Sequence, residues 1–401
     1  MLVRPGALAS ARSRVIVGVM TSLTMAAGTV AGPAIGVLAS VLRDEFDISR
    51  AEVGRLAGLY AISGALVSPL AGRLADRIGG RPTMIVTAAG GSATFVVFAL
   101  APSYTWLMVM ATIAGLPNGG SNPGTNRVVS ALIPITQRGT VTGVKQSGVQ
   151  LGRFVAGISL PAAVAAFGLR SALLLAAAAL AGIALAIPVV LPADPRPERS
   201  GSASPEPARM PPAVWWLAVY ATLMGAGAGA TFAFTALFAE ERLGFTNQEA
   251  GVLVAVTGLV AIASRILLAH MAQTSVHFAV PLGRIAVGAA ASLVLMAAAP
   301  DIGAWALWLS VAVGAVTLGS WNSVAMLATM ASTPTDQAGR AAGWVVGGFL
   351  TGLGIAPPLF GALVDRYDAY EQGWLVLAAA SLVAAATTHV WRLRDLRLRP
   401  S

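Results

Sequence analysis

Cysteine is absent from this chain of 401 residues, which excludes a disulfide framework and any thiolate chemistry. Charge is scarce too. Only 11% of residues are charged and 56% are hydrophobic, whereas a soluble globular domain carries about 25% charged residues. Most of the chain therefore never meets water. Histidine numbers three, too few to suggest a metal site, and none is expected. Lysine is nearly missing, with Lys145 the single example and arginine supplying every other strong base. The net charge of +9 would suit a nucleic acid. The arginines, however, sit mainly in short segments between apolar runs, which is the pattern of membrane topology. No nucleic-acid partner is expected.

A membrane span needs about 20 mostly apolar residues. Such runs fall near 15–41, 51–72, 83–101, 105–133, 139–165, 170–191, 213–239, 249–270, 279–299, 303–330, 340–363 and 373–391. The chain reads as an all-α membrane protein of twelve transmembrane helices, with the lipid bilayer as its surroundings. The first run is too long for a signal peptide's core of about 7–15 residues and is read as a retained span. Arginine counts near span ends place both termini and the segment Pro192–Pro212 in the cytoplasm, and the chain in the inner (plasma) membrane. That segment is rich in Pro, Ser and charge and reads as a linker. Four divisions follow: a six-helix half over 1–191, a linker over 192–212, a second six-helix half over 213–391, and a basic tail over 392–401.

The halves repeat each other in parallel. Ser49-Arg-Ala-Glu52 opens the second span and Thr246-Asn-Gln-Glu249 the eighth, both as capping boxes. Gly139, Gly143, Gly148 and Gly152 of the fifth span recur at the same offset as Gly339, Gly343, Gly348 and Gly352 of the eleventh, and Asn122 recurs as Asn322. Parallel repeats with a substrate site near the midplane between them are a standard transporter architecture.

Between the second and third spans the chain reads Gly72-Arg-Leu74-Ala75-Asp76-Arg77-Ile-Gly79-Gly80-Arg81. This resembles the signature loop of the major facilitator superfamily, departing at Gly80, where the family often has a basic residue. Arg138-Gly139, Gly168-Leu-Arg170 and Pro357-Pro-Leu-Phe-Gly361 also resemble the family. The resemblance covers essentially the whole chain. It implies the major-facilitator fold and a secondary transporter working by alternating access, not an enzyme, with no cofactor and a monomer as the working unit. It also implies a gating role for the loop residues Gly72, Asp76, Arg77, Gly79 and Arg81. Arg127, near the cytoplasmic end of the fourth span, is placed within reach of Asp76 as a gate partner. A topogenic basic loop is the competing reading.

Charges inside spans are costly and are functional candidates by default. No Asp or Glu falls near the middle of a span; the embedded charges are Arg127, Lys145, Arg153 and Arg265. A cationic cavity without fixed carboxylates attracts an anion. Gln146, Gln150 and Arg153 share one helix face and are expected to line it. Lys145 either lines it too or snorkels to the cytoplasmic surface. Arg265 lies near the midplane, a position that resembles the carboxylate-binding arginine of oxalate–formate exchangers and monocarboxylate transporters. Its competing role is structural, on helix carbonyls. The stretch Pro117–Asn126 is too rich in Gly and Pro for a uniform helix, so a broken fourth span is expected, with Asn118, Asn122, Trp321 and Asn322 as cavity candidates. A small organic or inorganic anion is the first reading of the substrate, with proton coupling left open. Proton-driven efflux of hydrophobic or cationic drugs is the second, although the fifth span lacks the Gly-Pro-x-x-Gly-Gly element of many drug antiporters. A sensor or assembly protein without flux is the third.

The absence of cysteine makes the topology directly testable. Ser202→Cys should react with a membrane-impermeant thiol reagent only in opened membranes. Labelling from outside intact cells would place the linker on the wrong side.

Overall fold

The computed structural model describes residues 11–134, 137–192, 210–273, 277–333 and 338–398. They form fourteen helices and, among the described residues, no strand. Two compact units emerge: residues 1–48 with 59–202, and residues 49–58 with 203–401. Most of the expected linker, residues 193–209, lies outside the described residues.

The first unit holds α1 (Ala11–Thr29), α2 (Ala31–Val37), α3 (Ala39–Phe46), most of α4 (Arg50–Ile78), α5 (Gly80–Ala99), α6 (Tyr104–Leu132) and α7 (Arg138–Val190). The second holds the opening turns of α4, then α8 (Pro212–Leu243), α9 (Asn247–Gln273), α10 (Ala279–Ile302), α11 (Ala304–Thr317), α12 (Trp321–Ala331), α13 (Ala338–Tyr367) and α14 (Tyr370–Leu398). α14 stays helical to Leu398, so residues 392–398 extend the last span.

Among the described residues nine helical stretches are long and apolar enough to cross a membrane, or ten if α1 and α2 form one bent span. α7 is counted once there, yet its 53 residues would reach about 80 Å at 1.5 Å per residue, far beyond a hydrocarbon core of about 30 Å. Its backbone leaves the helical region at Gly168 (φ 78°), which separates two spans. α6 falls outside the nine because glycines, prolines and asparagines dilute its apolar run. Twelve spans are consistent with this architecture.

The repeated glycines have a packing reason. A methyl group on Gly148 would collide with the Ser22 carbonyl on α1, and one on Gly348 with the Ala218 carbonyl on α8. The same register thus brings α7 against α1 in one unit and α13 against α8 in the other, the close approach that small residues permit between membrane helices.

The breaks fall elsewhere than expected. α6 is continuous although it contains Pro117 and Pro123. Its Gly119, Gly120 and Gly124 sit at contact distance from α4 and α5. Unravelled backbone in a bilayer leaves polar groups unsatisfied, so a well-packed helix persists through a proline. The first span, expected to be continuous, instead bends by 50° after Thr29. Pro33 has no N–H to offer the Thr29 carbonyl, and the Tyr60 hydroxyl donates to that oxygen at 3.0 Å. The tenth span is interrupted between Thr317 and Trp321.

Both capping boxes form. The Ser49 N–H donates to Glu52 Oε2 at 2.9 Å and the Glu52 N–H to Ser49 Oγ at 3.2 Å. The Thr246 and Glu249 pair repeats this at 2.8 and 3.2 Å. The first turn of α4 has a further cap within the second unit. Asp365 accepts the N–H groups of Arg50 (3.1 Å) and Ala51 (2.8 Å), while the Arg50 guanidinium pairs with Glu241 at 2.8 Å. Loss of a helix cap costs about 1 kcal/mol. Asp365→Ala should therefore speed amide exchange at Arg50 and Ala51 about fivefold. Unchanged protection of both amides would show that the carboxylate does not cap the helix.

Candidate functional site

In the first unit the polar groups gather where α6 faces the opening turns of α7. The Lys145 side chain is fully buried, at 0% exposure. Its ammonium donates to Asn122 Oδ1 at 3.1 Å and to Asn126 Oδ1 at 2.5 Å. Gln146 Nε2 donates to the same Asn122 oxygen at 3.3 Å. Lys145 therefore neither snorkels outward nor presents its charge openly; it lies beneath two amides. Among the described residues no ion pair joins it to a carboxylate, and no Asp or Glu is buried.

Farther along α7, Gln150 is buried and its Oε1 has no hydrogen-bond partner among the described residues. Arg153 is buried as well and lies within electrostatic reach of Tyr60, the residue that satisfies Thr29 at the bend of the first span. The unit thus carries a line of polar groups from Asn122 to Tyr60.

In the second unit Arg265 of α9 serves the break between α11 and α12. Its Nε donates to the Gly319 carbonyl at 3.0 Å. The Ser323 N–H, which a regular helix would send to that oxygen, goes to Ser320. Ser264 and Ser320 share a hydrogen bond at 2.7 Å, and Ser320 also reaches the Ala315 carbonyl at 3.1 Å. One nitrogen of the guanidinium thus holds the interrupted backbone. Its Nη groups have no hydrogen-bond partner among the described residues.

Trp321 is buried in an aromatic cluster, with Tyr220 at 5.7 Å and Phe349 at 5.5 Å between ring centroids. Asn322 is half-buried beside it. In the signature loop, α4 ends at Ile78 and α5 begins at Gly80, joined by Gly79 at φ 96°. That backbone requires glycine. Arg77 is exposed, and Arg81 donates to the Pro188 carbonyl at 2.5 Å. Gly72 is half-buried on α4 and Arg127 half-buried on α6. The side chain of Asp76 lies outside the described residues.

The structure thus joins Lys145, Gln146 and Asn122, keeps Gln150 and Arg153 on the same helix, and sets Arg265, Trp321 and Asn322 in the other unit. Asn126 and Tyr60 were not among the sequence candidates. The signal for Asn126 was its spacing of four from Asn122, which repeats that of Asn118. For Tyr60 it was Pro33, whose missing donor leaves a carbonyl to be satisfied.

The family model described as Major Facilitator Superfamily matches residues 15–347. An uncharacterized MFS-type transporter of Mycobacterium tuberculosis is 27% identical over 319 residues, covering 78% of this chain and 71% of that protein. A probable nitrate/nitrite transporter of the same species is 29% identical over 382 residues, covering 88% of this chain and 90% of that one. Among solved structures, a bacterial homolog of the human lysosomal transporter Spinster, inward-facing and unoccupied, superposes with a TM-score of 0.77. It is 17% identical and aligns over 98% of this chain and 99% of its own.

Proposed function

The chain belongs to the major facilitator superfamily, and on that premise we propose that it carries a small organic or inorganic anion across the inner membrane by alternating access. The observation that carries this reading is Lys145: a fully buried cation bonded to amide oxygens. Burying an ion without a counter-charge costs several kcal/mol, and intramembrane charges that persist at such cost are functional by default. Arg153 adds a second buried cation to the same unit, and Arg265 offers unoccupied Nη donors in the other. A planar guanidinium grips an oxyanion with two parallel hydrogen bonds. The nitrate/nitrite transporter among the relatives supports an anionic substrate.

Drug efflux gains no support. A cationic drug needs a buried carboxylate, and the described residues offer none. By the same argument a coupled proton would ride on the substrate's own acid group. The loop Gly72, Asp76, Arg77, Gly79 and Arg81, with Arg127, keeps the gating role that the family resemblance implies, and the termini keep their cytoplasmic side.

The test is a thermal-shift screen of the purified protein against carboxylates, nitrate, phosphate and cationic drugs, followed by variants of Arg265. Arg265→Lys keeps the charge and loses the planar fork, so anion affinity should fall. Arg265→Gln should lower it further, by about ten- to a hundredfold, the loss of one charged hydrogen bond of about 1.5–3 kcal/mol. A cation as the best ligand, or undiminished anion binding in folded Arg265→Gln, would overturn the reading.

A further inference from the structure

Resting on the anion reading above, we infer that in the first unit the anion is held by the side-chain amide N–H groups of Asn122 and Asn126, and that Lys145 is the positioning residue that turns them outward. An ammonium has three donors and no acceptor. Whatever bonds to Lys145 must present an oxygen, so the Oδ1 atoms of Asn122 and Asn126 face Nζ at 3.1 and 2.5 Å. The amide orientation, which is ordinarily a matter of assignment, is here dictated by chemistry. Gln146 reinforces it by donating to the same Asn122 oxygen.

The consequence lies on the other side of each amide. With both oxygens committed inward, both Nδ2 groups point away from the lysine. Neither Nδ2 has a hydrogen-bond partner among the described residues. Lys145 is buried, whereas Asn122 and Asn126 are both exposed on the surface of the unit. They stand four residues apart on α6, so they lie on one face, about 6 Å apart along the helix axis. Amide N–H groups left in hydrocarbon would each forfeit a hydrogen bond, which argues that this face meets water or ligand and not lipid.

The buried charge also polarises the two amides, strengthening the donors on their far side. A ligand therefore meets a surface of N–H donors with no acceptor among these groups. That surface selects an acceptor-only group: a deprotonated oxyanion such as a carboxylate or nitrate. It disfavours the protonated acid, whose O–H would find no free oxygen on either asparagine, both being committed to Lys145. Lys145 supplies the charge without touching the cargo, which lets the anion leave more readily than from a direct ion pair.

The test separates this arrangement from a lysine that binds directly. Nitrate is the probe, read by counterflow in proteoliposomes and by nitrate-induced thermal stabilisation of the full chain in detergent. In the double variant Asn122→Ala/Asn126→Ala the ammonium is uncovered. Direct binding by lysine predicts equal or tighter nitrate affinity; the amide arrangement predicts a loss of tenfold or more. Asn126→Asp gives Lys145 a carboxylate partner, so folding is retained, while an oxygen replaces the outward N–H. It should also lose tenfold or more in affinity with no fall in thermal stability, a split that a purely structural role would not produce. Undiminished nitrate affinity in Asn126→Asp, or in the folded double variant, would overturn the inference while leaving the anion reading in place. If the wild type binds neither nitrate nor any carboxylate of the screen, both fall together.

Discussion

A bilayer offers no hydrogen bonds, and the details of this chain follow from that constraint. Every carbonyl that loses its helical partner must find another inside the protein. Where Pro33 frees the Thr29 carbonyl, Tyr60 fills the gap. Where the tenth span is interrupted, Arg265 takes the Gly319 carbonyl. These two polar side chains are placed by backbone defects: Tyr60 lies within electrostatic reach of Arg153, and Arg265 is itself the embedded charge of its unit. The irregularities that make room for function are thereby the same ones that demand polar residues.

The repeat supplies a frame and little else. Gly148 and Gly348 do the same work at the same offset, bringing paired helices into contact. Two hundred residues beyond Lys145, Gln146, Gln150 and Arg153 stand Val345, Val346, Leu350 and Leu353, while Ser68, in the register set by the two capping boxes, occupies the position equivalent to Arg265. Packing positions have been kept and polar ones have diverged. The first unit carries its two buried cations, Lys145 and Arg153, on the fifth span, and the second carries Arg265 on the eighth. Asn122 and Asn322 match in sequence yet differ in setting: one bonds to a lysine, the other sits half-buried beside a tryptophan locked in an aromatic cluster.

Much of the fold was legible because it is written in short-range rules. Span positions follow from apolar length, and both capping boxes from a four-residue pattern with one geometry. The breaks were not legible. Proline and glycine density suggested the fourth span, but α6 is packed so closely through its glycines that it stays helical, while the first span yields at a single Pro33. Packing decides between those outcomes, and packing is a property of neighbours distant in sequence. The cations of the site could be named from their rarity. What could not be read was that Lys145 lies beneath Asn122 and Asn126, because that depends on how deep its position falls between two helices.

Lys145 is the only lysine in the chain and is completely enclosed. Side-chain amine chemistry therefore has a single address, shut in the described conformation. An acylating reagent that modifies the lysine of the folded protein can do so only when the asparagine cover parts. The rate of that modification is a clock for the opening of the first unit, readable by mass spectrometry without any engineered label.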